Sequence, residues 1–187
     1  MDMVIGSTAL PVVINGTLSL INNMKETSDR ELALLRLLYL EINQNLEVLS
    51  TIKWASEAGV PCTDHAYKEI ANGLCFQAHE AVLTTRVLDT SALVGWRIGD
   101  QDMMVNRIEL DEEGVVHEYE SPMTVAQAMK FVCVKMGALQ RLAAMDVSPE
   151  IGTKIRYSIR LENIQSYLTA LHNKLLENEQ IKPLETL

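Results

Sequence analysis

The chain has 187 residues, a formal net charge of −9 at pH 7 and 48% apolar residues. That length is enough for one domain with its own hydrophobic core. Nine Met against two Phe and two Trp favour helix-on-helix packing over a β-sandwich. Basic side chains that neutralise phosphates supply most of a protein's affinity for nucleic acid, so this acidic composition argues against a nucleic-acid partner.

The N-terminal segment carries no charge from Met3 to Met24. A helix is expected to start near Pro11, because proline is favoured in the first turn. Apolar and uncharged polar side chains separate onto two faces of this helix. The apolar face consists of Leu10, Val13, Ile14, Leu18, Ile21 and Met24. We expect residues 1–25 to pack on the body of the protein or on a sister subunit. Insertion of residues 3–24 into a membrane is an alternative, since the segment is long enough to span a bilayer.

A second helix is predicted from Ser28 to about Glu57. Ser28 and Glu31 match a capping box at its start, and the sequence Ala58-Gly59-Val60-Pro61 ends it. Apolar residues recur every three or four positions along it, at Leu35, Leu38, Ile42, Leu46, Leu49 and Ile52. Four more leucines widen this face: Leu32, Leu34, Leu37 and Leu40. We expect so wide an apolar surface to be covered from several directions or by another chain.

A third helix is predicted to start between Pro61 and Asp64 and to stop near Thr84 or Thr85. Its apolar stripe consists of Tyr67, Ile70, Ala71, Leu74, Ala78 and Val82. Gly73 lies in its interior, where glycine weakens a helix. The prediction is nevertheless one continuous helix.

The helical period is lost over residues 86–121, which form an acidic insertion. Between Asp100 and Glu120 there are eight acids and a single base, Arg107, so this stretch carries seven of the nine net negative charges. The pattern predicts either irregular structure or a small β-hairpin. In the hairpin, residues 108–110 and 115–119 would pair on either side of an acidic turn.

Two more helices are predicted after the insertion. The fourth begins at Ser121-Pro122, a cap followed by a first-turn proline, and its stripe is Val125, Met129, Val132, Met136, Leu139 and Ala143. Ser148-Pro149-Glu150 repeats the start signal for a fifth helix of roughly 30 residues. Its apolar residues follow a regular spacing typical of a coiled-coil seam, namely Tyr157, Leu161, Ile164, Leu168, Leu171 and Leu175.

Together these segments predict a mainly all-α fold. We expect an antiparallel helical bundle of four to five helices, with an irregular or small β-hairpin insertion around 86–121. Residues 1–187 are expected to form a single domain, because no repeat, low-complexity run or linker divides them.

Few residues in the sequence could act in catalysis or bind a metal. Cys62, Cys75 and Cys133 are an odd number without Cys-x-x-Cys spacing, so they indicate neither a zinc site nor a disulfide framework, and a cytoplasmic location is the simplest fit. No histidine completes the Glu-x-x-His pair of a di-metal site. His79 lies one helical turn after Cys75, but a lone histidine on a helix is more often hydrogen-bonded than metal-bound. We therefore predict no catalytic residue, no cofactor and no metal.

The function expected from these features is protein–protein interaction or self-assembly without catalysis, as an adaptor, scaffold or chaperone-like subunit. The partner would be a second copy of the chain or another helical protein. The expected apolar interaction surface is Val13, Ile14, Leu18, Ile21, Leu34, Leu37 and Leu40. The acids Asp111, Glu112 and Glu113 would steer a basic partner.

Two alternatives belong to other classes. One is a membrane-active bundle whose N-terminal segment inserts into a bilayer. The other is an enzyme or a small-ligand or metal binder whose site lies at the 86–121 insertion. Its candidate residues are Trp96, Arg97, His117, Tyr119 and the nearby acids.

Overall fold

The structure is a computed structural model that describes residues 9–24, 27–59, 62–85, 87, 98–111, 113–145, 155–178 and 181, without the side chains of 9–13, 27, 28 and 56. Within this part of the chain it is mostly helical, as predicted. The α-helices are α1 (Ala9–Asn22), α2 (Thr27–Glu57), α3 (Asp64–Gly73), α4 (Gln77–Thr84), α5 (Val125–Ala144) and α6 (Tyr157–Leu176). A 3-10 turn at Ile98–Asp100 leads into the strands β1 (Asp102–Leu110) and β2 (Val116–Thr124).

The helices α2 and α6 lie at the centre of the described structure. Helix α2 contacts α1, α3, α4 and α6, while α6 contacts α2, α3, α5 and β1. All six residues of the predicted α6 seam are buried, so that prediction is confirmed. Each large apolar side chain that leaves water in this way stabilises the fold by roughly 1.5–3 kcal/mol.

The helix α1 packs on α2 through its apolar face. Ile14 and Ile21 are buried, and so are Leu34 and Leu37 on α2. The polar residues of α1 face outward, and the Arg30 side chain of α2 donates a hydrogen bond to the Asn22 Oδ1 atom at 3.0 Å. The two-faced character predicted for this segment is therefore confirmed for its described side chains.

The predicted third helix is wrong in one respect, because it is divided into α3 and α4. Helix α3 starts at Asp64, where the Thr63 side chain accepts the Ala66 N–H, and it ends at Gly73. Leu74 is extended, with φ −72° and ψ 142°. The chain re-enters a helix at Gln77. The extended residues are held by hydrogen bonds to α2, which compete with continued helix formation.

The hairpin predicted in the acidic insertion is confirmed, and its strands are longer than expected. The strands β1 and β2 pair antiparallel from Asp102 with Thr124 to Leu110 with Val116. The Asn163 side chain on α6 holds β1 in place. Its Oδ1 accepts the Ile108 N–H at 2.9 Å and its Nδ2 donates to the Ile108 carbonyl at 2.7 Å.

The predicted start of the fourth helix at Ser121-Pro122 is wrong. Both residues belong to β2, where Pro122 pairs with Met104. A two-stranded sheet has only edge strands, and edge strands tolerate a proline that lacks an N–H. Helix α5 begins at Val125 instead, with a capping box formed by Thr124 and Gln127.

The fifth helix is shorter than predicted. Arg156 has a φ of +53°, a left-handed conformation that interrupts an α-helix, so α6 begins at Tyr157. The start signal at residues 148–150 lies outside the described residues. The helix ends at Leu176, close to the predicted end.

Candidate functional site

A buried polar cluster joins α2 to the start of α4. Glu41 and His79 are fully buried. The Glu41 carboxylate accepts the Ala78 N–H at 2.8 Å and the His79 N–H at 3.1 Å. The Nδ1 atom of His79 lies 2.5 Å from Oε1 and carries the shared proton, because a carboxylate can only accept it. The carboxylate thus caps α4, where a negative charge is stabilised by the helix dipole.

Asn45 extends this cluster by one turn of α2. Its Oδ1 accepts the Cys75 N–H at 2.8 Å, and its Nδ2 donates to the Cys75 carbonyl at 2.5 Å. The amide therefore pairs with both backbone groups of Cys75, as a neighbouring strand would. These two bonds hold the extended segment between α3 and α4 against α2.

Electrostatics assign this cluster a structural role. Burial alone would raise the pKa of Glu41, but the hydrogen bond and charge of His79, the Ala78 N–H and the Cys75 thiol together lower it. Burial and the Glu41 charge raise the pKa of Cys75 to about 12, so its thiol stays protonated and donates to Glu41 at 3.2 Å. A protonated thiol is neither a nucleophile nor a metal ligand. In the described part of the chain, no group of three or more His, Cys, Asp and Glu side chains is arranged to hold a metal.

Sequence reasoning paired Cys75 with His79 but missed Glu41 and Asn45. The spacing of four between Glu41 and Asn45 was visible, yet both residues interleave with leucines on the widened face of α2. A buried acid and amide on such a face signal a polar contact with another element.

Most of the predicted apolar interaction surface lies inside the chain. Ile14, Ile21, Leu34 and Leu37 are buried and Leu18 is partly buried, and α1 contacts both α2 and α4. Leu40 stays 50% exposed at the rim of a groove of about 390 Å³ between the two helices. The side chain of Val13 falls outside the described ones.

The acidic turn lies at the exposed tip of the hairpin. Asp111 accepts the Val115 N–H at 2.8 Å and pairs with the His117 Nε2 at 2.9 Å. The His117 hydrogen bond lowers the pKa of Asp111. Glu113 is exposed, whereas Glu112 falls outside the described residues.

Of the residues proposed for an enzyme site, the acid Glu120 lines a groove of about 490 Å³ between the hairpin and α6. Trp96 and Arg97 fall outside the described residues. His117 and Tyr119 are exposed on β2, and the Arg107 guanidinium lies 5.4 Å from the centre of the Tyr119 ring.

A second apolar stripe lies on the outer face of α5. Phe131 is 42% exposed, Val134 68% and Met145 56%, with the exposed Ala138 between them. We name Phe131, Val134, Ala138 and Met145 the α5 seam. It faces away from the core stripe of the same helix, so α5 has apolar residues on two sides.

A groove of about 780 Å³ runs beside the α5 seam. One wall is α5, including Val134 and Arg141, and the other is formed by Phe76 and Glu80 at α4. At the base of the groove, the Gln140 side chain of α5 donates a hydrogen bond to the Leu74 carbonyl at 2.7 Å. This bond holds α5 against the segment between α3 and α4. Small residues line the centre of the groove, at Gly137 and Ala138.

The groove also carries both signs of charge. Glu80 and Arg141 are exposed, and neither forms an ion pair with another described residue. Burial and the Glu80 charge raise the pKa of Cys133, which lines the same groove, to about 12. The Leu74 carbonyl is bonded to Gln140, and the Phe76 ring packs beside Gly137. Because these two contacts run in opposite directions along the chain, Glu80, one turn after Phe76, lies toward the Cys133 end of the groove, two turns of α5 before Arg141.

The α5 seam was absent from the predicted surface, although its signal is in the sequence. Phe131, Val134, Ala138, Arg141 and Met145 recur at spacings of three and four, parallel to the stripe that forms the core. The spacing of apolar residues does not show which of the two stripes of α5 is buried in the core.

Comparison of the chain with family models, characterised proteins and solved structures gives no match. Among the described helices, none combines the length and the apolar character needed to cross a membrane.

Proposed function

We propose that this chain is a cytoplasmic, non-enzymatic protein that acts through helix-mediated protein–protein interaction, as an adaptor, a scaffold or a chaperone-like subunit. Its helices would form an antiparallel bundle with the acidic hairpin on one side. The contacts of α2 and α6 with most other helices support this arrangement.

The observation that carries the proposal is the α5 seam. Its three large side chains are each at least 42% exposed. Apolar surface costs roughly 25 cal/mol per Å² in water, and contiguous exposed apolar patches are typical of interaction sites. The flanking charges of Glu80 and Arg141 resemble the polar rim that surrounds an interface core.

The alternative of membrane insertion has less support. Insertion of residues 3–24 would remove Ile14 and Ile21 from their buried positions on α2. It would also separate Ile21 from Leu37, which line the same groove between α1 and α2. The lost burial would cost roughly 1.5–3 kcal/mol for each side chain that returns to water.

Site-specific photo-crosslinking in cells tests the proposal. A photoreactive amino acid replaces Val134, in the α5 seam, and separately replaces Gln44, an exposed polar position on α2. We expect a discrete crosslinked product from position 134 and none from position 44. Equal labelling at both positions, or no product at either, would contradict an interface at the α5 seam.

A further inference from the structure

We infer that the partner of the α5 seam is a second copy of this chain, with the two α5 helices antiparallel about a two-fold axis near Gly137 and Ala138. This inference rests on the proposed function, because it names the occupant of the same surface.

The first support is the order of side-chain sizes, which reads nearly the same in both directions. Phe131 lies seven residues before Ala138, and Met145 lies seven residues after it. Seven residues make about two helical turns, so Phe131 and Ala138 lie on one face, roughly 10 Å apart along the axis. Met145 follows at the C-cap of α5, where the backbone becomes extended. In an antiparallel pair centred here, Phe131 of one copy faces Met145 of the other.

The second support is the small size of the central residues. Two helices that cross at an angle are closest at the crossing point and diverge on either side. The small, exposed Ala138 allows a close approach at the crossing point, and Gly137 next to it leaves room for the Phe76 ring of its own chain. The larger Phe131 and Met145 then fill the wider space at the two ends. The Phe131 ring stacks on Tyr167 with 5.8 Å between centroids. This contact holds the Phe131 side chain at one end of the α5 seam.

The third support is the charge pattern of the groove. Two-fold symmetry places Arg141 of one copy opposite the residues around Val134 of the other, at the Cys133 end of the groove. Glu80 lies toward this end, because Leu74 contacts Gln140 and Phe76 contacts Gly137. Two identical Arg141–Glu80 contacts between the copies result. Lys135, the cation at the same level, is directed away from the groove, with its Nζ 5.8 Å from the Tyr167 ring centre.

A charge exchange tests this pairing in the purified protein. Light scattering after size exclusion is expected to show a dimer for the wild type. Arg141→Glu or Glu80→Arg alone places like charges together and is expected to raise the dimer Kd roughly tenfold or more. The double variant exchanges the charges and is expected to restore the dimer. All four chains should give the same circular dichroism spectrum, because both positions are exposed.

Disulfide trapping tests the position of the axis. Two Ala138→Cys residues would face each other at the axis, within reach of a disulfide. Mild oxidation is expected to yield a covalent dimer from Ala138→Cys. The wild type, which keeps its three native cysteines, and Gln44→Cys should not do so.

The outcomes separate this inference from the proposed function. A monomeric wild type, or a dimer that survives Val134→Glu, overturns self-pairing along α5. If position 134 still crosslinks in cells, to a product whose mass excludes two copies of this chain, the interaction function stands with a different partner. If position 134 gives no product at all, both the inference and the proposed function fail.

Discussion

The same asparagine clamp occurs twice in this protein, once in the core and once under the hairpin. Asn45 pairs with both backbone groups of Cys75, and Asn163 pairs with both backbone groups of Ile108. The first clamp is buried on both sides, whereas Ile108 is only partly buried. Water can replace a lost hydrogen bond only where it can enter. The two asparagines make the same pair of hydrogen bonds, but we expect Asn45 to contribute more to stability than Asn163.

Glu41→Ala should produce the largest effect in the core region. It removes the acceptor for two N–H groups of α4 and leaves His79 buried without its partner. Breaking a buried pair in this way costs about 3–5 kcal/mol. Urea denaturation measures the loss. Glu47→Gln, an exposed acid on the same helix, should change stability by less than about 0.5 kcal/mol. A comparable loss in both variants would show that Glu41 has no special role.

Asn45→Ala should follow closely. It leaves the Cys75 N–H and carbonyl unsatisfied in the core, and each such group costs about 1–3 kcal/mol. We therefore expect a loss of about 3 kcal/mol in urea denaturation. The segment between α3 and α4 should also lose protection from hydrogen exchange relative to α6. Unchanged protection of the Cys75 amide would contradict the clamp.

The contribution of Glu41 should also depend on pH. Its pKa is lowered in the folded protein, from a reference value of 4.5. The carboxylate therefore stabilises the fold fully above the unfolded pKa, and this contribution is lost as pH falls through the lower folded pKa. The stability difference between the wild type and Glu41→Gln should shrink as pH falls below the Glu41 reference value of 4.5. It should stay smaller than the effect of Glu41→Ala, which also removes hydrogen bonds. A difference that grows toward acid would reverse the assigned direction.

Local patterns predicted the parts of the fold that depend on near neighbours. The spacing of Tyr157, Leu161 and Ile164 identified the buried side of α6, and the acidic turn identified the hairpin. In both cases the signal and the structure lie within a few residues of each other.

Errors arose where distant residues decide between two acceptable local structures. The break after Gly73 is fixed by Asn45 and Glu41, which lie 30 or more positions away in sequence. Ser121-Pro122 suits either a helix start or an edge strand, and pairing with β1 selects the strand. The α5 seam was missed for a related reason, since periodicity locates apolar stripes but does not say which one the core covers.

Asn163→Ala should have the smallest effect of the four, and it completes the comparison between the two clamps. The Ile108 N–H and carbonyl would lose their partners, but water can reach this partly buried site. We expect a loss of about 1 kcal/mol, since the hairpin keeps its own strand pairing. Hydrogen exchange should quicken at Ile108 while the Cys75 amide is unaffected. If Asn163→Ala and Asn45→Ala cost the same, burial does not set the strength of the clamp, and the hairpin is as much a part of the core as the start of α4.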